Sequence, residues 1–327
     1  MRLSVARGPL AGLLLALALA GCGGGDDEGD ASVAQAAPPA ADFPPARGKS
    51  LEQVLSAASG QGPVVTPAAR VLQLGENRFS FGVFTAGREP IDDAEVAIYA
   101  APGRGLRGPA SGPFPARIED LSTESAFEAQ TTSADPDAAK TVYVTAIPLQ
   151  HRGPWSFGAL TRLGDGSYQA SLVATPSLVE QFDPVGVGDR APRVHTPTED
   201  GVTDISEIET RVPPDDMHRD DLAGVLGRKP VVLLFATPAL CQSRICGPVV
   251  DVAQQVQRDV GDDVAFIHME VFNDNDASKG VRPQMRAYRL PSEPWLYVID
   301  RDGVVRTAVE GAFSVDELEQ AVGEVSG

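Results

Sequence analysis

Read by its apolar and polar positions, the chain divides into four regions. The first is short: Arg2 and Arg7 supply a positive start, Leu10 to Ala20 is apolar without a charge, and small residues follow. That is the order of a secretory signal over residues 1–21, and the run falls short of the ~20 residues that a membrane-spanning helix needs. From Gly23 to about Gly62 the chain is Gly, Ala, Pro and acidic, with few large apolar residues. Such a stretch buries too little surface to offset its ordering entropy. It predicts a disordered tether over 22–62, spanning roughly 35 Å as a flexible coil. Leu51 to Ala58 could form a short helix within it.

Residues 63–182 carry a different pattern. Arg78-Phe-Ser-Phe-Gly-Val-Phe84 alternates with period two, and Ala94 to Tyr99, Thr141 to Ile147 and Ser167 to Val173 are further strand-like runs punctuated by Gly, Pro and Asp. No helical period stands out, which predicts an all-β antiparallel sandwich with Ala101 to Pro115 as a long surface loop. Trp155 and Phe157 fall on a strand and are expected in its core. Residues 183–215, rich in Pro and charge, read as a connector.

In residues 216–327 the element types alternate. Pro230-Val-Val-Leu-Leu-Phe-Ala236 is the continuous apolar run of a buried parallel strand. Val249, Val252, Val256 and Val260 then recur at helical spacing, and Val264 to Phe272 is a second strand. Trp295 to Asp300 and Val304 to Val309 flank Arg301-Asp-Gly303, a hairpin signal. Ser314, with Glu317 three residues on, caps a last helix whose buried stripe is Val315, Leu318 and Val322. The order is β-α-β, a β-hairpin, then α, so the fold class is a two-domain chain, all-β followed by α/β.

Composition narrows the function classes. A chain of 327 residues has room for about two domains. Its formal charge is −18, and −20 once Arg2 and Arg7 leave with the signal. Acidity spread along the chain disfavours nucleic acid and anionic lipid surfaces as partners and suits a solvated exported protein. There are three Cys residues, an odd number.

Three resemblances add to this reading. Leu19-Ala20-Gly21-Cys22 resembles the lipobox of bacterial lipoproteins. The resemblance implies lipidation of Cys22 and anchoring to the extracytoplasmic face of the cell membrane. It would leave Cys241 and Cys246 as the one remaining pair, in a compartment that permits disulfides. Residues 63–182 resemble, on pattern alone, the immunoglobulin-like accessory domains of exported bacterial proteins. The third region resembles the thioredoxin fold: the strand Val231 to Ala236 leads through a loop to Cys241, and Pro294 precedes Trp295 to Asp300, where that family has a cis-proline facing its Cys pair. Ile299 to Val305 resembles the hairpin of membrane-anchored thioredoxin-like proteins, and Val187-Gly-Asp-Arg-Ala-Pro192 resembles the segment leading into such domains and into peroxiredoxins.

The chain departs from that family at its redox motif, reading Cys241-Gln-Ser-Arg-Ile-Cys246 instead of Cys-x-x-Cys. On one regular helix, residues five apart have Cα atoms roughly 8.7 Å from each other. A disulfide tolerates about 7 Å. If the two pair, Cys241 must lie in the loop and the helix must start late, near Cys246 or Pro248.

Two readings of the pair stay open. In one, Cys241 is a nucleophile stabilised by helix N–H groups and Arg244, Cys246 resolves the mixed disulfide, and Pro294 contacts the substrate backbone; partners are then exported protein thiols or disulfides. In the other, the disulfide is a staple in a non-enzymatic binding or scaffold module. Closing so short a loop stabilises by only about 2 kcal/mol. No cofactor or metal site is expected. The copper-delivery proteins of this fold need a His near the hairpin, whereas His268 lies earlier, in an apolar strand, and reads as a satisfied core residue. The peroxidase motif Thr-x-x-Cys is absent around Cys241. Asn273-Asp-Asn-Asp276 fails as a calcium loop because Lys279 and Met285 stand where glycine and glutamate are needed.

Overall fold

Apolar alternation in the first half builds two sheets. The computed structural model describes residues 34–173, 177–241 and 243–326; Cys22 and the signal segment lie outside them. A helix α1 (Leu51–Leu55) precedes strands β1 (Gly60–Gln61), β2 (Val64–Pro67), β3 (Gly75–Phe84), β4 (Glu95–Pro102), β5 (Ser111–Pro115) and β6 (Arg117–Asp120). After α2 (Gln130–Ser133) come β7 (Thr141–Leu149), β8 (Gly153–Arg162), β9 (Tyr168–Leu172) and β10 (Ser177–Val179). One sheet has the order β2-β3-β7-β6; the other has β1-β9-β8-β4-β5, with β10 on β8. Pairing is antiparallel except between β1 and β9. Phe79, Phe81, Tyr143 and Ile147 from the first sheet share a core with Val96, Ile98, Phe157 and Ala159 from the second. Phe79 and Phe157 stack with ring centroids 5.1 Å apart. Trp155 and Phe157 are core residues, as expected.

Two expectations are corrected here. The surface loop expected over 101–115 ends early, because Ser111–Pro115 is a strand on the edge of β4 and the Ser111 hydroxyl donates to the Ala100 carbonyl. The tether expected over 22–62 also ends early: Gln35 already bridges to Ile118, and Phe43, Leu51 and Val54 are buried. They cover the outer face of β4 and β8, packing on Ala97, Tyr99 and Leu160. The Tyr99 hydroxyl donates to the Pro44 carbonyl, and Ser50 and Gln53 close a capping box on α1. Gly158 permits the docking, since a Cβ there would lie 2.8 Å from a Leu55 methyl.

The second half has α3 (Leu222–Val225), β11 (Val231–Phe235), α4 (Cys246–Val260), β12 (Ala265–Met269), α5 (Pro283–Ala287), β13 (Trp295–Ile299), β14 (Val305–Glu310) and α6 (Val315–Ser326). The sheet order is β12-β11-β13-β14, parallel between β11 and β12 and antiparallel across the rest. This is the thioredoxin-like arrangement, over part of the chain. Gly303, at φ +79°, makes the hairpin turn, and the Asp300 carboxylate accepts from the N–H groups of Asp302 and Val304. Ser314 caps α6 as expected, its hydroxyl accepting from Glu317 N–H at 3.2 Å. The Val187–Pro192 segment docks on this hairpin, with Arg190 bridged to Val304.

Each half has a core of its own, and a further core is shared between them. Residues 32–327 form one compact unit. Helix α4 buries Val249, Val250, Val252, Ala253 and Val256, more than one stripe, and its cluster includes Leu121, Val142 and Val144 from the first half. Buried Arg211, from the expected connector, bonds Asp251 at 2.9 Å and the Phe127 carbonyl at 2.6 Å, joining that segment to both halves. Arg78 and Arg117 both reach Glu317 on α6, at 2.7 and 2.6 Å. Among the described residues no helix is long and apolar enough to cross a membrane.

Candidate redox site

Strand β11 delivers the chain to the site. The strand ends at Phe235, and the chain passes Cys241 before α4 begins at Cys246. Cys241 and Cys246 are disulfide-bonded with Cα atoms 5.9 Å apart, inside the range for a bridge and well under the helical spacing. Cys241 thus lies in the loop and the helix starts late, as the motif spacing requires. Cys246 is fully buried, whereas Cys241 is partly exposed. The Ser243 hydroxyl lies 3.2 Å from Cys241 Sγ and can donate to it.

Pro294 comes to the site through register. Trp295 pairs with Phe235, so the residues just before Trp295 stand beside the loop leaving β11. The Glu293–Pro294 peptide is cis. Pro294 is buried and its carbonyl accepts from Gly311 N–H at 3.0 Å, so that carbonyl is already engaged.

Glu293, which the sequence did not mark, is the carboxyl group that meets Cys246. Its Oε2 is 3.7 Å from Cys246 Sγ. Burial pushes its carboxyl up to about 7, helped by the charge of nearby Glu270, while the hydroxyl and N–H of Thr237 draw it back. A carboxyl titrating there can exchange a proton with a thiol at neutral pH. Its one sequence signal was a charged residue directly before Pro294.

Arg244 does not behave as expected. Its guanidinium pairs with Asp135 at 2.6 Å and approaches Asp137 at 4.0 Å, so its charge is met by carboxylates of the loop after α2. The α4 N-terminus, where among the described residues no side chain caps the helix, is at Cys246, and the disulfide holds Cys241 Sγ beside it. A groove of about 440 Å³ runs beside Cys241, walled by Thr131, Asp135 and Asp137 on one side and Pro238, Ala239 and Arg244 on the other. A second cavity, about 620 Å³, is lined by residues of the β-sheet half such as Gln61, Thr85 and Arg162, none of them from the redox loop.

His268 is buried and bonded to Asp215, Glu209 and the Ala236 carbonyl, a satisfied core residue as expected, though not an isolated one. Asn273 turns its side-chain amide to the carbonyls of Lys279 and Gly280 and closes its own loop.

A thioredoxin-like sheet with a disulfide at the exit of its first strand and a cis-proline beside it defines the class of site. No protein-family profile and no curated protein matches the chain. Among solved structures it is similar to a protein described as a thiol:disulfide interchange protein DsbE from Chlorobium tepidum, 21% identical over 44% of this chain and 99% of that one, with a TM-score of 0.33. It is similar to a thioredoxin-family thiol:disulfide interchange protein from Chlorobium tepidum TLS, 20% identical over 43% and 99% of the two chains, TM-score 0.31. A thioredoxin-like superfamily protein is 18% identical over 42% and 96%, with a TM-score of 0.30.

Proposed function

We propose that the chain is an extracytoplasmic thiol–disulfide exchange protein, held at the membrane by lipid on Cys22, that acts on exported protein thiols or disulfides. The observation carrying this reading is the asymmetry of the pair: Cys241 is reachable, while buried Cys246 faces a carboxyl that titrates near neutrality. Starting from the dithiol, the Cys241 thiolate attacks a partner disulfide, forming a mixed disulfide and releasing one partner thiolate. Cys246 gives its proton to the Glu293 carboxylate, and its thiolate attacks Cys241 Sγ. The second partner thiolate leaves, and two electrons have passed to the partner. The reverse sequence oxidises a partner dithiol.

The β-sheet half is read as immunoglobulin-like, supported by strand orders β2-β3-β7-β6 and β9-β8-β4, which follow the A-B-E-D and G-F-C pattern of that fold. With its carbonyl engaged, Pro294 serves by shape. Substrate backbone contact passes to the residues that line the groove beside Cys241. Purified protein is expected to equilibrate with glutathione and to turn over a disulfide substrate, and Cys241→Ser to abolish both. A disulfide that resists reductant until the protein unfolds would establish the staple reading instead.

A further inference from the structure

We propose that Glu209, Asp215, His218 and His268 form a closed site for a divalent transition-metal ion, best suited to Zn²⁺. The first three come from the segment that leads from the β-sheet half into β11; His268 comes from β12, in register with Leu234. None of the four is more than 7% exposed, and their ligand atoms all lie within 4.8 Å of one another. The spacing suits one ion. Ligands about 2.1 Å from a tetrahedral centre stand roughly 3.4 Å from each other. Here His268 Nδ1 is 2.7 Å from Asp215 Oδ2 and 3.3 Å from Glu209 Oε2, while His218 Nε2 is 3.0 Å from Glu209 Oε2 and 3.8 Å from Asp215 Oδ1.

Ring chemistry points the same way. His268 Nε2 lies 3.0 Å from the Ala236 carbonyl, which can only accept, so Nε2 carries a proton; Nδ1, which donates to the two carboxylates in the metal-free cluster, is the atom whose proton an ion would replace. A backbone carbonyl that orients the ring in this way is the usual outer support of a metal-bound histidine. Among the described residues His218 Nδ1 has no hydrogen-bond partner, so it is free to take the ring proton when Nε2, which donates to Glu209 Oε2 in the metal-free cluster, turns to the ion. Charge closes the case. Two carboxylates and two neutral imidazoles balance a dication, whereas a proton on His268 alone leaves a net negative charge buried.

Two nitrogens with two carboxylate oxygens suit Zn²⁺ better than Mg²⁺ or Ca²⁺, which prefer oxygen alone, or Cu⁺, which prefers thiolates. With every ligand buried no position is left for substrate, so the role is structural. The ion would clamp the incoming segment onto β12 and, through His268 and Ala236, steady the root of the Cys241 loop.

The test uses the whole purified protein with its disulfide intact. Prepared without chelator, it is expected to carry one zinc per chain by elemental analysis. After chelation, added Zn²⁺ is expected to raise Tm by about 5 °C or more. The Cys241→Ser/Cys246→Ser double variant is expected to behave alike, and His218→Gln to lose both the metal and the shift. Folded wild-type protein that carries no zinc and whose Tm ignores Zn²⁺ overturns the proposal, leaving a hydrogen-bonded cluster with protonated His268. Zinc lost in the cysteine variant, or kept in full by a folded His218→Gln, also overturns it. Should His218→Gln fail to fold, the wild-type and cysteine-variant measurements decide alone.

Discussion

Glu293 ties the chemistry of the pair to the stability of the fold. Unfolded, its carboxyl titrates near 4.5; folded, burial and the Glu270 charge raise it to about 7. Between those values the folded chain holds a proton that the unfolded chain has released, so stability falls as pH rises through this window and levels off above it. At about 1.4 kcal/mol per unit, the loss is on the order of 3 kcal/mol. Glu293→Gln should flatten that part of the profile, as read by urea unfolding at pH 5 and pH 8; parallel profiles for variant and wild type would refute the assignment. If Glu293 also takes the Cys246 proton, the same variant should slow release of the mixed disulfide without slowing its formation, which stopped-flow thiol trapping separates. Cys241, Cys246 and Pro294 were legible in the sequence because a strand, a spacing and a proline mark them locally. Glu293 and Thr237 were not, because their roles come from burial that only the assembled sheet creates.

At the scale of elements, the late start of α4 was legible because helix geometry and disulfide reach conflict. Docking of the stretch from Gln35 to Leu55 was missed because average composition hid Phe43, Leu51 and Val54 among Gly and Pro. The signal lay elsewhere: Val96 to Ala101 on β4 is apolar at successive positions, which marks a strand covered on both faces. Ser50→Ala should then cost about 1 kcal/mol through loss of the α1 cap, measurable by chemical denaturation. The buried Arg211–Asp251 pair is a stronger test of how the segment before β11 is held. Arg211→Ala would strand the Asp251 carboxylate, whose carboxyl burial already pushes up, and should destabilise by about 3–5 kcal/mol in urea titration.

For the whole molecule, the two-part composition of the chain was legible, but the joint between the parts was not. A helix pattern shows which positions are apolar without naming the neighbour that covers them. Since α4 is covered by its own sheet and also by Leu121, Val142 and Val144, the two halves should unfold together. Calorimetry is expected to give a single transition, and a fragment beginning at residue 183 to be insoluble or lacking a cooperative transition; two resolved transitions would show separable halves. The same double cover bears on how the protein would register electron transfer. A helix gripped on two sides cannot slide when the bond at its first residue opens. The rearrangement is expected beside the helix start, where Arg244 already has left-handed backbone (φ +62°) and is pinned to Asp135 across the groove. Under the proposed exchange, a docking partner would therefore tell the oxidised from the reduced protein by the contour of one short surface segment.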